Sequence, residues 1–229
     1  MASLVTARFQ EWSEGLDPHQ SLISVFEHIR DIPFSLAVPM TDPITAPEQI
    51  LELRKGSCGP KHYLLADMYR RLGFEVVFAT FSFHWDDPDL QYPQELRRLA
   101  TDLPVSYHLA CRVKIMNRWV LVDATWDRPL KLAGFPVNEH WDGRSDMRCA
   151  VKPLGSGVRA GFYETASTEL RQSDHEPEFR HPDGEQDHEN ATDRVRFCHE
   201  KTVKQTSDEI ERIHRFHCGF ETWLASIRR

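Results

Sequence analysis

The sequence predicts an α+β fold, with helices of the N-terminal third packed on an antiparallel sheet. Three observations predict it. Up to residue 73, apolar residues recur mostly at helical spacing: Phe9, Trp12, Leu16, Leu22, Val25, Phe26 and Ile29, then Leu64, Leu65, Met68 and Leu72. Beyond that point the pattern changes. Phe74 to Phe83 is rich in aromatic and β-branched residues, and the runs 107–115 and 119–125 alternate as strands do. The last two runs are separated only by Met116-Asn117, a two-residue turn that makes them an antiparallel hairpin.

In chain order, residues 5–30 read as two short helices broken at Pro18. Pro33, Pro39, Pro43 and Pro47 mark a loop, and Pro47 to Leu53 a short helix that delivers the chain to Gly56-Ser57-Cys58-Gly59. A helix is expected from Pro60, because a first-turn proline has no N–H to waste, and Gly73 is placed to end it. Residues 86–104 are polar, with a helical piece from Pro93 to Ala100, and read as a surface excursion. Residues 126–162 read as aromatic-anchored coil with one further strand near Cys149-Ala150-Val151. From Gln172 to Asp193 the chain is acidic and rich in His and Pro, as a linker is. A final helix is expected after it, with Ser207 as its N-cap and an apolar stripe of Ile210, Ile213, Phe216, Phe220, Trp223, Leu224 and Ile227. The expected division is therefore a core of 1–162, a linker of 163–193 and a helical appendage of 194–229. The stripe is too apolar to leave in water, so the appendage is expected to pack on another copy of the chain or, in preference, on its own core, as a structural brace or, on the active-site face, as a lid.

Composition bounds the function. A chain of 229 residues with 40% hydrophobic and 28% charged residues suits a soluble globular protein. A net charge of -7 argues against nucleic acid as a partner, and no apolar run approaches membrane-spanning length. Met1 to Arg8 lacks the apolar core of a signal peptide. Five scattered cysteines (58, 111, 149, 198 and 218) point to reduced thiols, so a cytoplasmic protein is expected.

The hairpin register places the chemistry. With Met116-Asn117 as the turn, Val113 faces Val120 and Cys111 faces Val122. One face then holds Leu109, Cys111, Val113, Ile115, Val120, Val122 and Ala124, with Arg118 near the turn as its one polar member. A slip of one residue would bury the charged set instead. In this register His108 and Asp123 share the other face as diagonal neighbours, about 7–8 Å apart at the backbone and within side-chain reach. Cys58 lies at a helix start, where unpaired N–H groups and the helix dipole favour a thiolate. Cys58 as nucleophile, His108 as base and Asp123 as its orienting carboxylate are the set that thiol acyl chemistry needs.

These residues resemble a family. His28 to Phe34, Arg54-Lys55-Gly56-Ser57-Cys58, Leu72 to Val76, Tyr107-His108 and Trp119-Val120-Leu121-Val122-Asp123-Ala124-Thr125-Trp126-Asp127 look like the transglutaminase-like group of the papain-like cysteine fold, over residues 22–152. The resemblance implies a papain/transglutaminase-like core whose Cys helix packs on a sheet carrying His and Asp. It implies Cys58, His108 and Asp123 as the triad, a thioester intermediate and a peptide or small amide or ester substrate. Leu109-Ala110 stands where the family often shows Ala-Trp. Trp126 is a candidate wall of the acyl site, a packing role being about as plausible. No cofactor and no metal is expected: the spacing of Cys198-His199 and His214 to Cys218 matches no common zinc pattern. His62 is expected on the helix surface and His84 in a loop. Two other readings stay open: an arylamine N-acetyltransferase-like acetyl-CoA enzyme, and a non-catalytic binding protein on the same fold.

Overall fold

The computed structural model describes residues 3–154, 163–165 and 206–229. Helix α1 (Leu4–Ser13) starts on the side chain of Ser3, which accepts from the Thr6 N–H. Helix α2 (Pro18–Arg30) starts on a reciprocal capping box between Asp17 and Gln20. Helix α3 (Ala46–Leu53) ends at Arg54 in the left-handed region, which turns the chain into the cysteine loop. There Gly56 bonds the Phe34 segment on both sides: its N–H donates to Pro33 O and its carbonyl accepts from Ser35 N, each at 3.1 Å. A Cβ on Gly56 would lie 2.8 Å from the end of the Ile50 side chain, so a larger residue at this crossing requires Ile50 to shift.

Helix α4 (Cys58–Arg71) begins at Cys58, two residues before the start expected at Pro60. It ends as expected at Gly73 (φ +88°), with Gly73 N bonded to Arg70 O and Phe74 N to Tyr69 O. The sheet follows: β1 (Val76–Phe83), β2 (Ser106–Ile115), β3 (Arg118–Val122) and β4 (Tyr163–Thr165), antiparallel in the order β3-β2-β1-β4. Val113 pairs with Val120 and Cys111 with Val122, the register expected from the alternation. Met116 and Asn117 both have positive φ, the backbone of a tight hairpin turn matched to strand twist. The apolar hairpin face packs with α1, α2, α3 and α4 into one core.

A second core lies beyond the end of β1. Helix α5 (Gln94–Thr101), the turn Arg128–Ala133 and helix α6 (Ser207–Ile227) enclose Phe83, Trp85, Tyr92, Trp126 and Phe135. The 86–104 segment is thus no surface excursion: Leu90, Tyr92, Leu96, Ala100 and Leu103 are buried under α6. On α6 the buried stripe is Phe216, Phe220 and Leu224, while Ile210 is 54% exposed. The cap of α6 is Thr206, in a capping box with Glu209, and Ser207 is its first helical residue. Cys149 to Val151 form no strand; Ala150 N is spent instead on the Asp123 carboxylate. Residues 172–193 and Cys198-His199 lie outside the described residues.

Two polar clamps tie α6 to the core. Glu221 accepts from Ser35 Oγ and Leu36 N. Arg228, just past the helix, grips both oxygens of the buried Asp127 and donates to Phe34 O, while Asp127 also accepts from Phe34 N. Removing a partner from a buried ion pair leaves an uncompensated charge. Arg228→Ala is therefore expected to destabilise the fold by about 3 kcal/mol, read from urea unfolding. A midpoint equal to that of the parent would show that Asp127 needs no counter-ion.

Candidate active site

The site forms where the two cores meet. Lys61 holds the segments that carry it. Its ammonium donates to Arg30 O, Ile32 O and Thr125 O, each at 2.8 Å, so all three protons are used and the end of α2, the start of α4 and the chain after β3 are fixed together. His108 and Asp123 come together as the register requires, and Cys58 lies on the same cleft as His108. His108 Nε2 donates to Asp123 Oδ2 at 2.8 Å, with both residues buried. His108 and the Leu109 N–H are the groups that favour the Cys58 thiolate. Phe81 stacks on the imidazole, with centroids 6.1 Å apart.

Asp123 is saturated with donors. Oδ1 accepts from Thr125 N at 3.2 Å and from Thr125 Oγ1 at 2.7 Å; Oδ2 accepts from Ala150 N at 2.8 Å as well as from His108. Burial works against the Asp123 charge, but the charge and hydrogen bond of His108 prevail and hold the carboxyl well below the usual range. His108 is the mirror case: burial disfavours the imidazolium, yet Asp123 and the Cys58 thiolate raise its pKa to about 10. Burial also opposes a Cys58 thiolate, and the bonds from His108 and Leu109 N–H overcome that and lower the thiol pKa. Both shifts run toward a thiolate–imidazolium pair, the reactive form of a nucleophilic cysteine.

This has a pH signature. Because the folded pKa of His108 is raised, its contribution to stability is full below its unfolded value of about 6.5 and is lost as pH rises through about 10. Alkylation of Cys58 by iodoacetamide is expected to have its acidic limb below the free-thiol value of about 8.5. In His108→Ala the limb moves upward. A limb that stayed in place in that variant would mean the pair is not formed at rest.

Sequence reading missed His62, which is fully buried rather than on the helix surface. Its reason is local: every residue of α4 from Pro60 to Ala66 is buried, because the helix runs through the middle of the first core with no solvent face in its first turns. Ala124 N donates to His62 Nε2 at 3.1 Å, so Nδ1 carries the ring proton and donates to Cys58 O at 2.8 Å. Burial pulls its pKa down to about 4, opposed by Asp123, whose Oδ1 is 3.7 Å away. His62 is thus a neutral strut between the cysteine and the end of β3, with both nitrogens occupied and none left for an oxyanion. His62→Ala is expected to cost about 3 kcal/mol, from two lost hydrogen bonds and a cavity. Unchanged unfolding would remove the strut.

Cys149 was also missed. Its sulfur, a His108 nitrogen and an Asp123 oxygen lie within 4.8 Å of one another, the one set among the described residues with metal-ligand proximity. The triad accounts for this grouping, since the Asp123 oxygen that serves His108 also accepts from Ala150 N, beside Cys149. Burial and the Asp123 charge push the Cys149 thiol up to about 12, so of the two thiols near His108 only Cys58 is set up to ionise. Trp126 lines the cleft over Cys58, donates its Nε1 to Ala150 O at 2.7 Å and packs between the tilted rings of Phe34 and Phe135. Trp85 lines the cleft too, whereas the neighbouring His84 points to solvent. His214 and Cys218 are exposed neighbours on α6, 3.7 Å apart, and His217 turns to the other side.

No protein-family model and no curated protein matches the chain. Among solved structures, it is similar to a crystal structure from Cytophaga hutchinsonii described as a "Putative Cysteine Protease", with a TM-score of 0.40 and 16% identity. The match covers 56% of this chain and 38% of that one, so the chain spans well under half the length of this neighbour. Among the described residues no helix is long and apolar enough to cross a membrane.

Proposed function

We propose that the protein is a transglutaminase-like cysteine enzyme that transfers the acyl group of an amide or ester through a thioester on Cys58. One observation supports this above all: Cys58 shares its cleft with a histidine whose Nε2 is held by a buried, saturated carboxylate. In the forward step the Cys58 thiolate attacks the carbonyl carbon and a C–S bond forms. The imidazolium of His108 gives its Nδ1 proton to the leaving amine or alkoxide as the C–N or C–O bond breaks. In the return step His108 takes a proton from water or an amine, which attacks the thioester and frees the thiolate. Asp123 keeps its charge throughout and fixes the tautomer. The helix-start N–H of Cys58 is the first donor to the oxyanion.

Hydrolysis, deamidation and transamidation are outcomes of the same thioester and differ only in the acceptor. In this reading the catalytic core is 1–162 and the protein works in the cytoplasm. The test is turnover of p-nitrophenyl esters and glutamine-containing peptides, with and without a primary amine. A burst of one p-nitrophenol per enzyme, lost in Cys58→Ala, is the expected result. Acetylation of an aromatic amine that requires acetyl-CoA would favour the N-acetyltransferase-like reading. Absence of any burst, with Cys58 inert to iodoacetamide, would leave a binding protein.

A further inference from the structure

The cleft over Cys58 encloses about 290 Å³. Its apolar walls are Phe34, Leu36, Phe83, Trp85, Trp126 and Val151. Apart from Cys58 and His108, no charged residue lines it among the described residues; Ser106, Tyr107 and Thr125 supply uncharged polar groups. One further residue reaches it from far along the chain, His217 on α6.

Helix α6 does more than contribute one side chain. Glu221 fixes the backbone of Ser35 and Leu36, and Arg228 fixes Phe34. Phe216 and Phe220 press on Trp85, with centroids 5.3 and 5.2 Å away. Phe220 also meets Phe34 edge-on at 6.2 Å, and Phe34 in turn packs at a tilt against Trp126 at 4.4 Å. Four of the six apolar walls are thus set, directly or through one neighbour, by the C-terminal helix. Burial keeps the His217 imidazole below its usual pKa against the pull of Glu221, so it presents a neutral edge. A cleft of this lining desolvates what enters it, which favours an aromatic ring and penalises an unpaired charge.

We propose that α6 is the specificity element of this site: it shapes an acyl pocket for large, uncharged, aromatic-bearing acyl groups, and the neutral His217 side chain at its edge gives the pocket no charge with which to pair an ionic group. The proposal rests on the thioester reading above, and its test does not need turnover. Helix α6 is then both brace and wall, which is why the two roles expected for the appendage do not separate.

The experiment reads the pocket with alkylating agents that differ only in what they carry to Cys58. Second-order rates are measured for iodoacetamide, N-phenyl iodoacetamide and iodoacetate on the full chain. The aromatic reagent is expected to react at least ~10-fold faster than iodoacetamide, the worth of burying about half a ring. In His217→Glu the iodoacetate-to-iodoacetamide ratio is expected to fall by about 5-fold, and in His217→Lys to rise by a similar factor, from one charge a few ångströms inside a partly desolvated cleft. His217→Gln, neutral like the parent imidazole, keeps the parent ratio. Near-ultraviolet circular dichroism of each variant reports folding, and the two opposite charges supply a second chance should one fail to fold. No aromatic preference, or ratios that ignore the charge at 217, would overturn the proposal. Failure of the thioester reading looks different: the alkylation pattern holds and no ester turns over.

Discussion

Cys58→Ala is expected to abolish acyl transfer while leaving the fold intact. The side chain removed is small, and what it bonds is the reactive pair rather than the core: Cys58 is only half-buried at the edge of the first core, where His62 and Lys61 carry the structural bonds. Loss of a nucleophile that acts with its base as a unit removes nearly all of the acceleration, leaving only what the oxyanion site and binding supply. Initial rates with a p-nitrophenyl ester and a thermal melt, measured on one preparation, check it. A variant that kept a tenth of the parent rate would place the nucleophile elsewhere, with Cys149 the first residue to test.

Asp123→Asn carries the second largest effect, and it acts twice. An asparagine at this position orients His108 through the wrong tautomer, which in serine hydrolases with the same logic costs about 10⁴ in rate. The surroundings make matters worse. Each Asp123 oxygen faces donors, Thr125 N and Oγ1 on one side, Ala150 N and His108 Nε2 on the other, so the new NH₂ group points at an N–H whichever way the amide is turned. A stability loss of about 2–3 kcal/mol is expected beside the loss of rate. Because folded Asp123 has a lowered pKa, the stability it supplies is present above about pH 4 and is lost on acidification; the variant should lose that acid-side slope. Near-normal turnover in Asp123→Asn would remove the carboxylate from the mechanism, and an unchanged acid limb would remove it from the fold.

The pairing of His108 with Asp123 and the place of Cys58 at a helix start were legible because each residue carries a local signal. Cys58 stands at a helix start between glycines, and the alternation of 107–115 and 119–125 admits one register, which brings His108 beside Asp123. What was not legible depends on surroundings that are distant in sequence. His62 and Lys61 look like solvent-facing residues of an amphipathic helix, and only the packing of the first core on every side of α4 buries them. Cys149 follows the strands by some 26 residues of irregular chain, whose path no periodicity reveals. The stripe of α6 announced a partner but not which one; the aromatic residues of 83–92 and 126–135 that receive it are too irregular to read as a surface. Helix starts shifted by one or two residues, at Cys58 and Thr206, as capping geometry commonly does.

The most direct test of the central claim is to catch the intermediate. The protein is mixed with a p-nitrophenyl ester, quenched in acid within the burst, and its intact mass and peptide map are recorded. A single acyl adduct on the peptide that carries Cys58, labile to hydroxylamine and absent from Cys58→Ala and His108→Ala, is the predicted result. An adduct on Cys149, or complete ester turnover with no covalent adduct under any quench time, would contradict it.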